Sequence, residues 1–458
     1  MADWTAQLRT LIEPCVARSA AVEEVLIGPG VVARVGVVAR RVASLPRALV
    51  MADEAGFGAA GEPAVAALGE AGFQVATLVK PIDPLPVASV EEAEPFRAAL
   101  AADAGLLPVA VGSGVINDLV KFAAFATDRR YLAVATAASM DGYTSAGAPL
   151  AQGGFKVTIP TRAPVAMVAD LDVIAAAPAE MNGWGYADLA GKVPAGGDWI
   201  LADLVGAEPI DAAAWHLVQD HLGGWLDRPE GIARGEREAI ARLFIGLTAV
   251  GFAMEAHGTS RPASGADHQI AHLWEMAGHS HLGRKVAHGA AVAVGAVATL
   301  ALFDWLLEQD PTALDVAAIV GNAPDLAARE AVLARTIADP RIAERACCEL
   351  RAKHVGPAVQ AERLGRIVDG WAATRDRLRS HLVRRDAMVA MLHQAGAPAY
   401  AAEIGITLDQ LTDTMRAAAF IRRRYTIFDF LHETGLFEAA LAAVGPRLVA
   451  SHSPEASA

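Results

Sequence analysis

Cysteine is scarce: three among 458 residues, Cys15, Cys347 and Cys348. Two of them are adjacent, a spacing at which mutual bridging is rare, and the count is odd. No disulfide framework is expected, and a reducing compartment, the cytoplasm, is the expected location. Basic charge is also in deficit. Thirty-nine Lys and Arg against 52 Asp and Glu leave a net charge of −13, which argues against a nucleic-acid partner and means that a small anionic substrate needs a locally basic pocket. A run of membrane-spanning length is missing. The longest uncharged apolar run, residues 289–303, is rich in Ala and Gly and stops short of the roughly 20 residues a span requires, so it reads as a buried helix. The first residues, MADWTAQLRTLIEPC, carry Asp3, Arg9 and Glu13, which does not fit a signal peptide. Internal repeats are not evident.

What is present is a globular composition, 53% hydrophobic and 20% charged, at a length that suggests two domains. In the first part, short Val-, Ala- and Leu-rich runs alternate with helical patterns. EEVLIGPGVV, RALVMADEAG, FQVATLVK, LPVAVGSG, YLAVATAAS and PVAMVADLDVI each end in turn or polar residues, as strands do. Their hydrophobicity is continuous rather than alternating, which implies burial on both faces and a parallel sheet, with the intervening segments as crossover helices. From about Met181 onward the patterns are helical only. The expected architecture is an α/β nucleotide-binding domain with a mostly parallel sheet over residues 1–178, then an all-helical metal- and substrate-binding domain over 179–450. The polar tail 451–458, SHSPEASA, is expected to be disordered.

Two features carry chemistry. The loop Gly112-Ser113-Gly114 follows the fourth strand and opens the helical segment VINDLVKFAAFA; glycines allow close backbone approach to a pyrophosphate, and a helix N-terminus supplies free N–H groups. A tight turn would need the same glycines. Asp53 ends the second strand, where a carboxylate can take ribose hydroxyls or cap a helix, and the hydroxyl-rich loop of Thr136, Ser139 and Ser145 follows the fifth. Both stand where open sheets bind ligands, at the carboxyl ends of strands. The second feature is a histidine cluster. Six of the thirteen histidines lie from His257 to His288. His268 and His272, four residues apart, share a helix face, and His288 opens the Ala-rich helix. With Asp188 upstream, His268 and His288 make a carboxylate–imidazole set suited to a divalent ion with positions left for substrate. His279 and His281 read as solvated, and His257, before Gly258, as a helix end. HQIAH lacks the Glu of a metalloprotease helix.

In order and spacing, MADEAG, VGSGVINDLVK, TAASMDGYTS, GFKVTIPTRAPVAMVADLDVI, SRPASGADHQIAHLWEM and KVAHG resemble the glycerol-1-phosphate dehydrogenase family, bacterial branch, within the iron-containing alcohol dehydrogenase and dehydroquinate synthase superfamily. The resemblance covers most of the chain. It implies Asp188, His268 and His288 as metal ligands and Asp53 as the adenosine-ribose contact. Gly112, Ser113 and Gly114 become the pyrophosphate loop, with Asp118, Thr136, Ser139 and Ser145 also at the cofactor. Asp141 falls between nicotinamide and substrate, and His272 at proton relay or substrate contact. Arg261, seven residues before His268, stands where an arginine of the related cyclases meets substrate, and Lys156 or Lys192 is a further phosphate candidate. There are departures. Ala187 precedes Asp188 where a glycine is usual, SGADH stands for SGSEH, and GKVPAGGDW is unusually rich in Pro and Gly.

The implied activity is NAD(H)- or NADP(H)-linked interconversion of dihydroxyacetone phosphate and sn-glycerol 1-phosphate, with Zn²⁺, Ni²⁺ or Fe²⁺ polarising the substrate oxygen. A homodimer or larger homo-oligomer is the implied assembly. Three alternatives remain: a sugar-phosphate cyclase of the dehydroquinate synthase type, a dehydrogenase of an unphosphorylated polyol, and a non-catalytic metabolite-binding protein.

Overall fold

The computed structural model describes residues 4–448; the tail 451–458 lies outside the described residues. The chain falls into two compact units that interleave along the sequence. Unit 1 comprises residues 1–189, 212–263 and 394–396, and unit 2 comprises 190–211, 264–393 and 397–458.

Unit 1 is built on a parallel sheet. All six sequence-predicted strands form it: β1 (Glu24–Gly28), β2 (Arg47–Asp53), β3 (Gln74–Lys80), β4 (Leu107–Gly112), β5 (Leu132–Ala135) and, after a hairpin, β8 (Ala166–Asp170). The order is β1-β8-β5-β4-β2-β3, every pair parallel. Position in that order explains burial. Every residue of the interior strands β4, β5 and β8 is buried, whereas the edge strand β3 is exposed or half-buried throughout. The expectation of two covered faces therefore holds in the middle of the sheet and fails at this edge. One element was not anticipated: β6 (Gly147–Gln152) and β7 (Phe155–Pro160) pair as an antiparallel hairpin apart from the main sheet. Its strand GAPLAQ shows alternating burial, the period-2 pattern of a strand with one covered face.

Unit 2 is helical, as expected, with one exception: Ser280–His281 and Arg284–Lys285 form a two-stranded hairpin where a solvated loop was expected. Its turn holds Leu282 and Gly283 at φ 50° and 76°. At the centre is the helix His288–Leu306, which contains the Ala-rich run and buries residues 289 to 304 entirely. It and Arg237–His257 of unit 1 are long and apolar enough to cross a membrane, but 94% and 83% of their most apolar windows are buried within the protein, as core helices are. Close packing of His288–Leu306 depends on its small residues. A methyl at Gly295 would stand 2.4 Å from the Asp267 carbonyl oxygen on the helix Ala266–Met276, inside van der Waals contact, so only glycine lets the two helices approach.

Two buried histidines in unit 2 link its stability to pH. His381 donates from Nε2 to the Val193 carbonyl at 3.0 Å. His432 stacks on Phe437 with ring centroids 3.9 Å apart, and its Nε2 is buried with no hydrogen-bond partner among the described residues. Burial pushes His381 down to about 4 and His432 to about 3. Both stay neutral in the folded chain, while an unfolded histidine protonates near pH 6.5. The stability they contribute is complete above that value. It is lost as pH falls toward 4, each histidine costing about 1.4 kcal/mol per pH unit well below 6.5. His432→Phe keeps the stack and removes the titrating group. Urea midpoints at pH 7 and pH 5 are expected to differ less in this variant than in the wild type; an unchanged difference would show that His432 does not titrate as burial dictates.

Candidate active site

In unit 1, the sheet order fixes where a ligand can enter. From β2 the chain moves outward to β3, and from β4 it moves the opposite way to β5, although β2 and β4 are neighbours. Strands that diverge in this way open a crevice at their carboxyl ends. Asp53 ends β2 and Gly112 ends β4, so the two candidate cofactor positions share that crevice. The loop then enters the helix Gly114–Ala126 with Ser113 at the N-cap in extended conformation, its hydroxyl making no cap bond. First-turn N–H groups at such an end suit an anionic ligand. The glycines also serve packing: a methyl at Gly112 would meet Ile116 Cβ at 2.6 Å, and one at Gly114 would meet Met140 Cγ at 2.7 Å. Asp53 caps the next turn, its Oδ1 accepting from Gly56 N at 2.6 Å, and burial raises its carboxyl above the usual range.

The hydroxyl-rich loop is held from beneath. Lys121, fully buried, donates to the Gly142 carbonyl at 2.7 Å, the Gly147 carbonyl at 3.1 Å and Ser145 Oγ at 3.3 Å. Asp118 lies 3.6 Å from the same ammonium; burial nevertheless pushes its carboxyl up to about 6. Asp118 and Ser145 are thus buried anchors of this loop, while Ser139 and Asp141 are half-buried on it. Lys156 stands on β7, close enough to Asp118 to lower that carboxyl in opposition to burial. Asp188 lies on the helix Ala179–Ala190, buried, and its Oδ2 accepts from Asp141 N at 3.1 Å. That helix presses on the loop at Gly185, where a methyl would fall 1.7 Å from the Ala138 carbonyl oxygen. Arg261, also in unit 1, is fully buried.

In unit 2, the helix Ala266–Met276 carries His268, His272 and Glu275 on one face, and His288 begins the helix packed against it. The three imidazoles converge, with ring centroids 5.4 Å (His268–His288), 5.9 Å (His272–His288) and 6.0 Å (His268–His272) apart. Each Nδ1 has a partner. His268 donates to Asp267 Oδ2 at 2.7 Å, and His288 donates to Glu275 Oε1 at 2.6 Å. Arg422 Nη2 donates to His272 Nδ1 at 3.2 Å. A carboxylate that takes the Nδ1 proton leaves the Nε2 lone pair for a metal and orients the ring, the usual support of ligating histidines. His268 and His288 fit a divalent ion on this ground. Residues 268–275 are in turn fixed by Asp198 on the helix Lys192–Leu204. Its Oδ2 accepts from Ala266 N and its Oδ1 from Ile427 N, each at 2.7 Å, so one buried carboxylate holds the first turns of two helices.

Residues 26–178 match the family described as iron-containing alcohol dehydrogenase. The glycerol-1-phosphate dehydrogenase [NAD(P)+] of Bacillus subtilis (strain 168) is 32% identical over 336 residues, 72% of this chain and 72% of that one. The enzyme of the same name from Methanothrix thermoacetophila is 32% identical over 315 residues, 68% of this chain and 86% of that one. The chain belongs to the glycerol-1-phosphate dehydrogenase family. Membership makes it an oxidoreductase, and the resemblance read from the sequence motifs stands. Its fold agrees: the structure of a probable glycerol dehydrogenase from Sinorhizobium meliloti 1021 covers 94% of this chain and 99% of its own, with TM-score 0.62 at 18% identity.

The sequence singles out the glycine loop and the histidines but not the side chains that support them. Glu275 was open to reading, since 268, 272 and 275 are spaced i, i+4, i+7, and so was Asp267 beside His268. Lys121, Asp198 and Arg422 carry no local signal. Of the two histidines expected to be solvated, His279 is engaged instead, its Nε2 donating to the Ile404 carbonyl at 2.7 Å.

Proposed function

We propose that this family member reduces dihydroxyacetone phosphate to sn-glycerol 1-phosphate, reversibly, with NAD(H) or NADP(H) and one divalent metal. The observation that supports the metal most directly is the pairing of His268 and His288 with carboxylates at Nδ1, which leaves both Nε2 atoms as donors. Asp188 is the third ligand in this reading. Two imidazoles and a carboxylate suit Zn²⁺, with Ni²⁺ or Fe²⁺ as the alternatives. When bound, the ion supplies a Lewis acid for the substrate oxygen, and the nicotinamide supplies the hydride.

The chain's own residues do the rest. Gly112, Ser113 and Gly114 offer main-chain N–H groups to the pyrophosphate at a helix N-terminus. Asp53 accepts from a ribose hydroxyl, and its charge would repel a 2′-phosphate, which favours NAD. Thr136, Ser139 and Ser145 line the cofactor loop, held in place by Lys121 and Asp118. Asp141 lies between nicotinamide and substrate. Arg261 holds the phosphate, because a guanidinium matches phosphate oxygens in a bidentate way, with Lys156 or Lys192 assisting. His272 hydrogen-bonds the reacting oxygen and relays its proton. The reading extends to a cytoplasmic homo-oligomer with a small-molecule substrate.

The test follows NADH absorbance with dihydroxyacetone phosphate, with added Zn²⁺ or Ni²⁺ and after chelation. Stoichiometric, metal-dependent NADH oxidation is expected and excludes the cyclase, which would not consume NADH. Faster turnover of the unphosphorylated ketone would point to the polyol dehydrogenase, and no oxidation with any metal would overturn the reading.

A further inference from the structure

His268, His272 and His288 have rings of one chemistry within 6.0 Å of one another, yet their supports differ in sign. Carboxylates hold the Nδ1 atoms of His268 and His288, and a guanidinium holds that of His272. A carboxylate accepts, so it selects the ring with its proton on Nδ1 and a lone pair on Nε2. A guanidinium can only donate, so it selects the opposite ring, with a lone pair on Nδ1 and the proton on Nε2. We propose that Arg422 is a positioning residue that fixes His272 as the Nε2–H tautomer, making it a hydrogen-bond donor to the substrate oxygen and barring it from ligating the metal.

The geometry gives this selection work to do. His272, Glu275 and His288 each offer a ligand atom within 4.8 Å of the others, a second arrangement that could hold an ion. Binding through Nδ1 of His272 would displace the Arg422 bond, and binding through Nε2 would require the other tautomer, which that bond disfavours. Glu275 is already engaged by His288 Nδ1. The arginine therefore keeps a metal from settling in the second arrangement and reserves the Nε2 proton for substrate. The inference rests on the reductase reading above for the words substrate oxygen. The tautomer itself does not depend on that reading.

Two readouts test it. In metal-free wild type with ¹⁵N-labelled histidine, the His272 resonances are identified by their loss in His272→Gln. Nδ1 is expected to carry a lone pair and Nε2 the proton; the reverse pattern, or protons on both nitrogens, overturns the proposal. Arg422→Met removes the donor. The selective pattern is then expected to disappear, and kcat for ketone reduction to fall about 10- to 100-fold, the range for lost second-layer partners. KM for the nucleotide is expected to stay unchanged. Arg422→Lys, which still donates, is expected to restore the pattern and part of kcat. Arg422→Met that keeps both pattern and kcat overturns the proposal, and if that variant does not fold, the wild-type spectrum decides alone. Absence of reductase activity in wild type sinks the functional reading only, because the tautomer is read without metal or substrate.

Discussion

His268→Ala is expected to empty the metal site and reduce kcat/KM for dihydroxyacetone phosphate about a thousandfold or more. The estimate comes from what the ion contributes: stabilising a developing alkoxide as a Lewis acid is worth several kcal/mol, and about 4 kcal/mol is a factor of a thousand in rate. The loss should be chemical rather than structural. His268 is the third residue of its helix, its ring is held by Asp267, and Asp267 Oδ1 also accepts from Gly265 N at 3.0 Å. Alanine leaves that local bond intact and is a good helix former. Thermal stability without metal should fall only by the loss of the single Asp267–His268 bond, about 1–3 kcal/mol, whereas the rise in melting temperature on adding Zn²⁺ to wild type should vanish in the variant. Metal content by elemental analysis gives the direct measure. A variant that keeps one metal per chain and wild-type kcat would remove His268 from the ligand set.

The contrast between what sequence and structure each reveal follows from the range of the contacts involved. Strands β2, β4 and β8 were legible because burial on both faces leaves an unbroken apolar run. The hairpin of β6 and β7 was not, since GAPLAQ carries a glycine and a proline and reads as loop. The hairpin after His279 hides for a related reason. Its turn begins with Leu282 in the left-handed region, where the usual signal is Asn or Gly. Why the glycine loop 112–114 should follow the fourth strand rather than the first is answered only by strand order, which places β4 beside β2 where the connections diverge. At the site, helix spacing exposes His268 and His272 because neighbours three or four residues apart share a face. Arg422 reaches His272 across 150 residues of sequence and Asp198 reaches Ile427 across 229, and no local period reports such contacts.

Asp198 is the residue whose loss should cost the fold most. Fully buried, it accepts at 2.7 Å from Ala266 N and from Ile427 N, the first residues of two helices that begin 161 positions apart (427 − 266). Neither helix is otherwise equivalent. Ala266–Met276 has Gly265 at its N-cap with no side-chain bond, whereas Ile427–Glu433 also has a capping box between Thr426 and Asp429. Asp198→Ala would orphan both buried N–H groups, at about 1–3 kcal/mol each, for a total loss of about 2–6 kcal/mol; this is a large part of the stability of an ordinary domain. Asp198→Asn keeps one acceptor oxygen and is expected to lose about half as much. Since Ala266 leads directly into His268, the alanine variant should also bind Zn²⁺ more weakly, even at temperatures where it remains folded. Urea unfolding followed by circular dichroism, beside zinc titration of the folded variant, separates the two effects. Equal stability of Asp198→Ala and wild type would mean that the two helix starts find other acceptors and that the shared carboxylate is not what holds them together.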